Sequence, residues 1–154
     1  MPNGKLIAIC IACEADAPMR QITQVVAEKD RGLVGDRYYK TRGSYNRGTP
    51  GKRQVTLMNA LFFPGSGFTY ADTRRNLFVD GVELMDLIGK EFHIGEAMFR
   101  GVKYCDPCNR PNKMAGIDKS FRDTFFDRGG LIADVITTGT IRVGDTVKPP
   151  KKDY

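Results

Sequence analysis

Short apolar segments, separated by glycine, proline and charged residues, make up most of the chain. The segment 5–13 is rich in isoleucine and bounded by polar residues, which is the pattern of a buried strand. The β-branched content of residues 20–28 favours a strand over a short helix. Further strands are predicted at residues 53–58, 76–79, 91–94, 97–104, 131–137, 140–143 and 146–147.

One segment has helical periodicity instead. In residues 117–126 the side chains of Phe121, Phe125 and Phe126 recur at helical spacing, which predicts the one helix of the chain. Many short strands, 17 glycines and little helix predict a mainly β fold, a closed or nearly closed β barrel with few short helices. At this length we expect a single domain over residues 1–147 and a disordered basic tail over residues 148–154.

The composition, 41% apolar and 27% charged, is typical of a globular protein. The longest apolar run, residues 6–13, is too short to cross a bilayer, and no signal-peptide pattern precedes it. We therefore expect a cytoplasmic protein without a membrane partner. Thiols stay reduced in the cytoplasm, so the four cysteines are expected to be free, metal-bound or catalytic rather than paired in disulfides.

The net charge of +6 indicates an anionic partner. Between residues 31 and 53 a single acid, Asp36, stands against seven lysines and arginines, and residues 38–51 form a long glycine-containing loop of a kind that is often functional. Tyrosines among these bases suggest single-stranded nucleic acid as one ligand. The chain lacks a recognised RNA- or DNA-binding signature, which disfavours that partner.

Cys105 and Cys108 are separated only by Asp106 and Pro107, which favour a turn at the end of a strand. The nearby bases favour the thiolate, the form in which cysteine reacts or binds metal. A thiolate here suits a soft metal ligand or a carrier of persulfide sulfur. The alternative is a pair of half-buried cysteines in a turn. The surrounding bases are Lys103, Arg110 and Lys113.

A second pair, Cys10 and Cys13, raises the question of a four-cysteine zinc site. This pair lies in an apolar strand whose alternation sends the two side chains to opposite faces, so zinc is disfavoured. His93 is the single histidine, which excludes a multi-histidine metal site. We expect it to be a structural or surface residue.

Several basic side chains are candidates to bind an anion, because arginine matches phosphate in a bidentate fork. Strand alternation predicts that only one of Arg74 and Arg75 faces a given side. Asn76 either bonds a ligand edge or serves a turn. For each arginine the alternative is solvated surface charge. The candidates are Arg37, Arg53, Arg74, Arg75, Asn76 and, more weakly, Arg128.

Short motifs follow one another in a defined order over residues 6–147. They are Gly35-Asp36-Arg37-Tyr38, Arg53-Gln54-Val55-Thr56-Leu57, Arg74-Arg75-Asn76-Leu77, Gly81-Val82, Leu87-Ile88-Gly89, Phe92-His93-Ile94-Gly95, Cys105-Asp106-Pro107-Cys108, Arg128-Gly129-Gly130-Leu131 and Gly139-Thr140-Ile141-Arg142-Val143-Gly144-Asp145. Each motif alone is common. In this order and spacing they resemble the MOSC domain, named for the C-terminal domain of molybdenum cofactor sulfurases, and within it the small stand-alone bacterial kind.

The resemblance implies a β barrel like the small barrel domain of pyruvate kinase. It also implies binding of a molybdenum–pterin cofactor (molybdopterin), or sulfur handling at a cysteine. Cys108 would be the molybdenum ligand or persulfide acceptor, with Cys105 as a supporting thiol and the arginine candidates holding the cofactor.

The activity suggested by related molybdenum enzymes is reduction of N-hydroxylated compounds. Nothing in the chain resembles a flavin, haem or iron–sulfur site, so a redox cycle would need an electron-transfer partner protein. A sulfur-transfer role would need a sulfur donor. Whether the chain is a molybdenum-dependent oxidoreductase, a sulfur transferase or no enzyme, and whether it forms a homodimer, stays open. The alternative is a nucleic-acid- or anion-binding barrel without catalysis.

Overall fold

The computed structural model describes residues 2–40 and 53–150. Within these ranges the chain is mainly β, with two short α-helices, α1 (Arg110–Ala115) and α2 (Phe121–Thr124). The strands are β1 (Gly4–Ile11), β2 (Arg20–Ile22), β3 (Gln24–Glu28), β4 (Gly32–Leu33), β5 (Val55–Asn59), β6 (Leu77–Asp80), β7 (Glu91–Ile94), β8 (Ala97–Tyr104), β9 (Leu131–Thr137), β10 (Gly139–Arg142) and β11 (Thr146–Lys148).

Seven strands close into a barrel, in the order β11-β7-β8-β9-β5-β6-β1. The ring closes where β1 pairs with β11, with Gly4 opposite Val147. Neighbours are antiparallel except for β5 and β6, which run parallel. Strand β2 pairs antiparallel with the end of β1, beyond the part of β1 that pairs with β11, and β10, β3 and β4 form a separate three-stranded sheet. The predicted mainly β barrel is confirmed.

Three adjacent strands of the barrel, β1, β5 and β6, are buried on both faces. On β1, Ile9 and Ile11 pack with the barrel core, while Ala8 and Cys10 pack with a second apolar cluster. A register shift after Leu6 lets that residue join the core as well. Strands covered on both sides read as continuous apolar runs, which is why β1 was recognisable in the sequence.

An aromatic layer covers the outer face of these three strands. Phe121 and Phe125 of the α2 region pack with ring centroids 4.8 Å apart, and Phe68 meets Phe121 edge-on at 5.3 Å. Phe63 contacts Phe78 of β6 at 5.5 Å. Edge-to-face aromatic packing of this kind fixes relative positions beyond the area it buries. The layer therefore holds α2 firmly against the barrel wall.

The prediction of one helix over residues 117–126 was wrong in extent. Helix α2 begins only at Phe121, because the hydroxyl of Ser120 accepts from the Asp123 amide and caps the helix there. Phe126 lies beyond the helix and is 69% exposed. Helix α1 was not predicted, since its six residues carry little apolar periodicity. It has proline in its first turn and ends at Gly116 in the left-handed region.

The predicted C-terminal tail and the predicted long loop lie only partly within the described residues. Lys148, the first residue of the predicted tail, lies in β11, and residues 151–154 lie outside the described residues. Most of the predicted long loop, its residues 41–51, also lies outside them. None of the helices described is long and apolar enough to cross a membrane.

Candidate functional site

A cleft rich in guanidinium groups lies where four connections of the barrel meet. It encloses about 460 Å³, counting the solvent at its mouth. Arg37 follows β4, Arg53 precedes β5, Arg74 and Arg75 precede β6, and the segment after β8 contributes Cys108. We call this the arginine cleft, and its lining is Ala15, Arg37, Tyr38, Arg53, Arg74, Arg75, Asp106, Cys108, Arg110 and Pro111.

The two cysteines of the turn have different surroundings. Cys105 directly follows β8 and is buried, and its amide donates to the Gly130 carbonyl at 2.9 Å. Cys108 is exposed and lines the cleft. The turn therefore offers one thiol, that of Cys108, to a ligand in the cleft.

Arg75 ties this cysteine turn to the start of β6. Its Nε donates to the Gly129 carbonyl at 2.9 Å, and its terminal nitrogen reaches the carbonyls of Cys105 and Asp106 at 3.5 and 3.4 Å. The guanidinium also lies 5.5 Å from the Phe121 ring centroid. Gly129 itself leaves no room for a side chain, because a Cβ there would collide with the Cys105 carbonyl and the Pro107 ring.

A buried ion pair between Asp36 and Arg37 stabilises another part of the cleft wall. Asp36 is fully buried, and its carboxylate accepts from the Ala12 amide at 3.0 Å and from Arg37 at 3.1 Å. Arg37 in turn donates to the Tyr38 hydroxyl at 3.1 Å and to the Arg74 carbonyl at 3.0 Å. One carboxylate thus orients an arginine that connects β1, β4 and the approach to β6.

Arg74 and Arg75 both line the cleft, so the prediction that only one of them would face it was wrong. Strand alternation does not apply to them, because β6 begins only at Leu77. Arg74 has left-handed backbone geometry, with φ of 62°. Such a residue turns the chain, and consecutive side chains on either side of a turn can point the same way.

Arg74 and Arg110 share an acceptor. Arg74 donates to the carbonyls of Ala15, at 2.7 Å, and Ala17, and Arg110 donates to the same Ala15 carbonyl at 2.9 Å. Burial, together with the charges of Arg37 and Arg110, lowers the pKa of the Arg74 guanidinium to about 10. An anion placed among these like charges would relieve their repulsion.

The sequence signalled Arg110 only as one of several bases near the cysteines. The structure places it in the cleft lining, because α1 begins at this residue, two positions after Cys108. The signal that could have singled it out is the following Pro111, which favours the first turn of a helix.

Two candidates lie away from the cleft lining. Asn76 is buried, where its amide nitrogen donates to the Cys10 carbonyl at 3.1 Å and its oxygen accepts from the Thr56 amide at 3.0 Å. It therefore links β1 and β5. Arg128 lies over the Phe62 ring at 4.4 Å and borders a separate cavity. His93 is an exposed residue on β7 between buried Phe92 and Ile94.

The four-cysteine zinc arrangement does not form. Cys10 and Cys105 are buried, whereas Cys13 and Cys108 are exposed. Among residues 2–40 and 53–150, no three histidine, cysteine, aspartate or glutamate side chains are grouped to hold a metal ion. Of the basic and aromatic stretch considered for nucleic acid, residues 31–40 and Arg53 are described, and residues 41–52 lie outside the described part of the chain.

The cysteines should differ in reactivity. At neutral pH we expect a thiol reagent such as Ellman's reagent to modify Cys13 and Cys108 in the folded protein, because only these two are exposed. Burial raises the pKa of the Cys10 thiol to about 11, so that thiol also stays protonated. Mass spectrometry of the labelled peptides makes the assignment. Fast labelling of Cys105 would contradict its buried position. The control variant Cys108→Ala should show one reactive thiol fewer than the wild type.

The sequence matches one known family of domains. The model of the MOSC domain matches residues 53–148, more than half of the 154 residues, and the chain belongs to that family. The match covers β5 to β11 and includes the cysteine turn, with Arg53, Arg74, Arg75, Cys108 and Arg110 of the cleft. The family resemblance inferred from the ordered motifs is confirmed.

Solved structures of low sequence identity share the fold. The YuaD protein of Bacillus subtilis superposes with a TM-score of 0.77 at 17% identity, over 95% of this chain and 94% of that one. YiiM of Escherichia coli gives 0.62 at 17% identity, over 97% and 71%. YiiM of Geobacillus stearothermophilus gives 0.69 at 12% identity, over 96% and 75%. A search of curated protein sequences found no match.

Proposed function

We propose that the arginine cleft binds a molybdenum cofactor or accepts sulfur destined for one, with Cys108 as the residue that contacts the metal or carries the sulfur. The observation that carries the proposal is that one exposed thiol shares a cleft with five arginines. Guanidinium groups match phosphate, and a thiolate is a soft ligand for a metal already bound by sulfur. This donor set fits an anionic cofactor that contains both.

Each residue has a distinct part in that proposal. Arg37 and Arg75 are buried and held by several acceptors, so they form preorganised walls. Arg110 is exposed and can turn toward an incoming anion. Arg53 lies two residues before the start of β5 and adds a further positive charge to the cleft. When bound, molybdenum would supply the redox chemistry, and electrons for reducing an N-hydroxylated compound would come from a partner protein.

In the sulfur-carrier form, Cys108 needs only a donor persulfide. The Cys108 thiolate attacks the terminal sulfur of the donor, the donor's S–S bond breaks, and the donor leaves as a thiolate. A cysteine desulfurase is the class of enzyme that supplies such a persulfide.

The test compares the wild type with Cys108→Ala, both purified from a host that makes the molybdenum cofactor. We expect about one molybdenum per chain in the wild type and a loss of at least about tenfold in Cys108→Ala. Cys13→Ala is the matched control, since Cys13 is also exposed but does not line the cleft. It should keep the metal.

The sulfur-carrier form has its own readout. If neither protein holds molybdenum, labelled sulfur from a cysteine desulfurase should add the mass of one labelled sulfur atom to the peptide containing Cys108, which is then a persulfide. Absence of both molybdenum and labelled sulfur in the wild type would reject the proposal. It would leave an anion-binding barrel, whose affinity for polyanions should fall steeply with salt.

A further inference from the structure

A second cavity adjoins the arginine cleft and is mostly apolar. It encloses about 490 Å³, counting the solvent at its mouth as for the cleft, and shares Arg74 and Pro111 with the cleft. We call it the methionine groove, and its remaining apolar lining is Pro18, Met19, Ala71, Met114 and Ala115. Its volume is several times the ~30 Å³ that one water molecule occupies in the liquid, so it can admit a ring.

Both methionines are attached to arginines of the cleft. The Met114 sulfur accepts from Arg110 Nε at 3.4 Å, and the Met19 sulfur accepts from Arg37 at 3.5 Å. The two cavities are therefore linked by contacts between side chains of the groove and arginines of the cleft, in addition to the Arg74 and Pro111 that line both. Methionine thioethers pack well against aromatic rings and adapt to their outline.

The charges of the two cavities have opposite signs. The cleft has five arginines and one acid, Asp106, whereas the groove has the carboxylates of Asp16 and Asp72 and one base, Arg74. Asp16 is exposed, and Asp72 accepts from the Thr69 amide at 2.9 Å, which holds it at the rim. A ligand spanning both cavities would place its negative group among the arginines and meet repulsion if it carried a second negative group into the groove.

We propose that the methionine groove receives an uncharged aromatic or apolar group attached to the anion held in the arginine cleft. The ligand class is then an organic anion with a single charged end. This inference rests on the proposed function only in taking the cleft as the anion site. It adds the part of the site that would distinguish one anion from another.

The test measures binding of three probes by isothermal titration calorimetry at one low salt concentration. We expect phenyl phosphate to bind about tenfold more tightly than inorganic phosphate, because its ring is removed from water in the groove. We expect 4-carboxyphenyl phosphate to lose that gain, because its carboxylate would meet Asp16 and Asp72.

Variants assign the gain to the groove. Ala115→Trp fills the groove from an exposed position at the end of α1, and Met114→Glu adds a third carboxylate to it. Both should bring phenyl phosphate to within about threefold of inorganic phosphate. Leu61→Glu is the control for net charge, since Leu61 is 74% exposed and does not line the groove. It should keep the tenfold preference.

Three results would overturn the inference: equal affinity for phosphate and phenyl phosphate in the wild type, an unchanged preference in both groove variants, or no binding of any probe at millimolar concentration. Molybdenum content and sulfur uptake are measured on the same preparations. Their absence beside an intact preference for phenyl phosphate would reject the proposed function alone. Molybdenum bound through Cys108 beside equal affinities would reject the groove alone.

Discussion

Asp36→Ala should lower the free energy of unfolding by about 3–5 kcal/mol, because it leaves the Arg37 guanidinium buried without its carboxylate. The substitution also removes the acceptor of the Ala12 amide, 3.0 Å from the carboxylate. Urea unfolding followed by circular dichroism measures the loss. Asp36→Asn, which keeps an oxygen at this place but not the charge, should fall between the wild type and the alanine variant.

The control for this prediction is a shorter but exposed ion pair. Glu91 and Arg100 approach to 2.7 Å, yet both side chains are about half exposed, whereas the Asp36–Arg37 pair is buried at 3.1 Å. Glu91→Ala should therefore cost less than about 1 kcal/mol. A larger loss for Glu91→Ala than for Asp36→Ala would show that burial does not govern the strength of these pairs here.

Arg75→Ala should loosen the cysteine turn. It removes the donor to the Gly129 carbonyl, at 2.9 Å, and the longer contacts to Cys105 and Asp106. Leaving these carbonyls without a donor should lower the free energy of unfolding by about 2–3 kcal/mol. We expect the rate at which a thiol reagent labels Cys105 to rise about 10- to 100-fold, since labelling of a buried thiol requires local opening.

Arg142→Ala is the matched control for that experiment. Arg142 pairs with Glu96 at 3.5 Å on the surface, with both side chains more than half exposed. Its removal should change stability by less than about 1 kcal/mol and leave Cys105 protected. If Cys105 stays equally protected in Arg75→Ala, then Arg75 does not fasten the turn.

The strands and the barrel could be predicted because their signals are local. Continuous apolar runs marked β1, and alternation with glycine-containing turns marked β7 and β8. Helix α1 had no such signal, because its six residues show no apolar periodicity. Its ends are defined instead by a proline in the first turn and by Gly116 at the C-cap. The extent of α2 was set by the Ser120 cap, which the helical spacing of the phenylalanines did not reveal.

The cleft could be predicted only in part. The motif order selected Arg37, Arg53, Arg74, Arg75 and Cys108, all of which line it. The family resemblance favoured Cys108 over Cys105, but the sequence did not reveal which thiol is buried, because that depends on where the turn meets Gly130. Both Arg74 and Arg75 reach the cleft because the backbone turns at Arg74, a tertiary effect that strand alternation does not represent.

The anchors of the cleft differ in how much sequence change they tolerate. Arg74, Arg75 and Arg110 donate to main-chain carbonyls at Ala15 and Gly129, among others, and every amino acid supplies such a carbonyl. Side-chain replacement at Ala15 keeps the acceptor. Arg37 instead depends on one particular carboxylate, that of Asp36. Mutational drift can therefore change the side chain at Ala15 while Arg74 and Arg110 stay in place. Gly129, which has no room for a side chain, and Asp36, whose carboxylate Arg37 needs, have no such freedom.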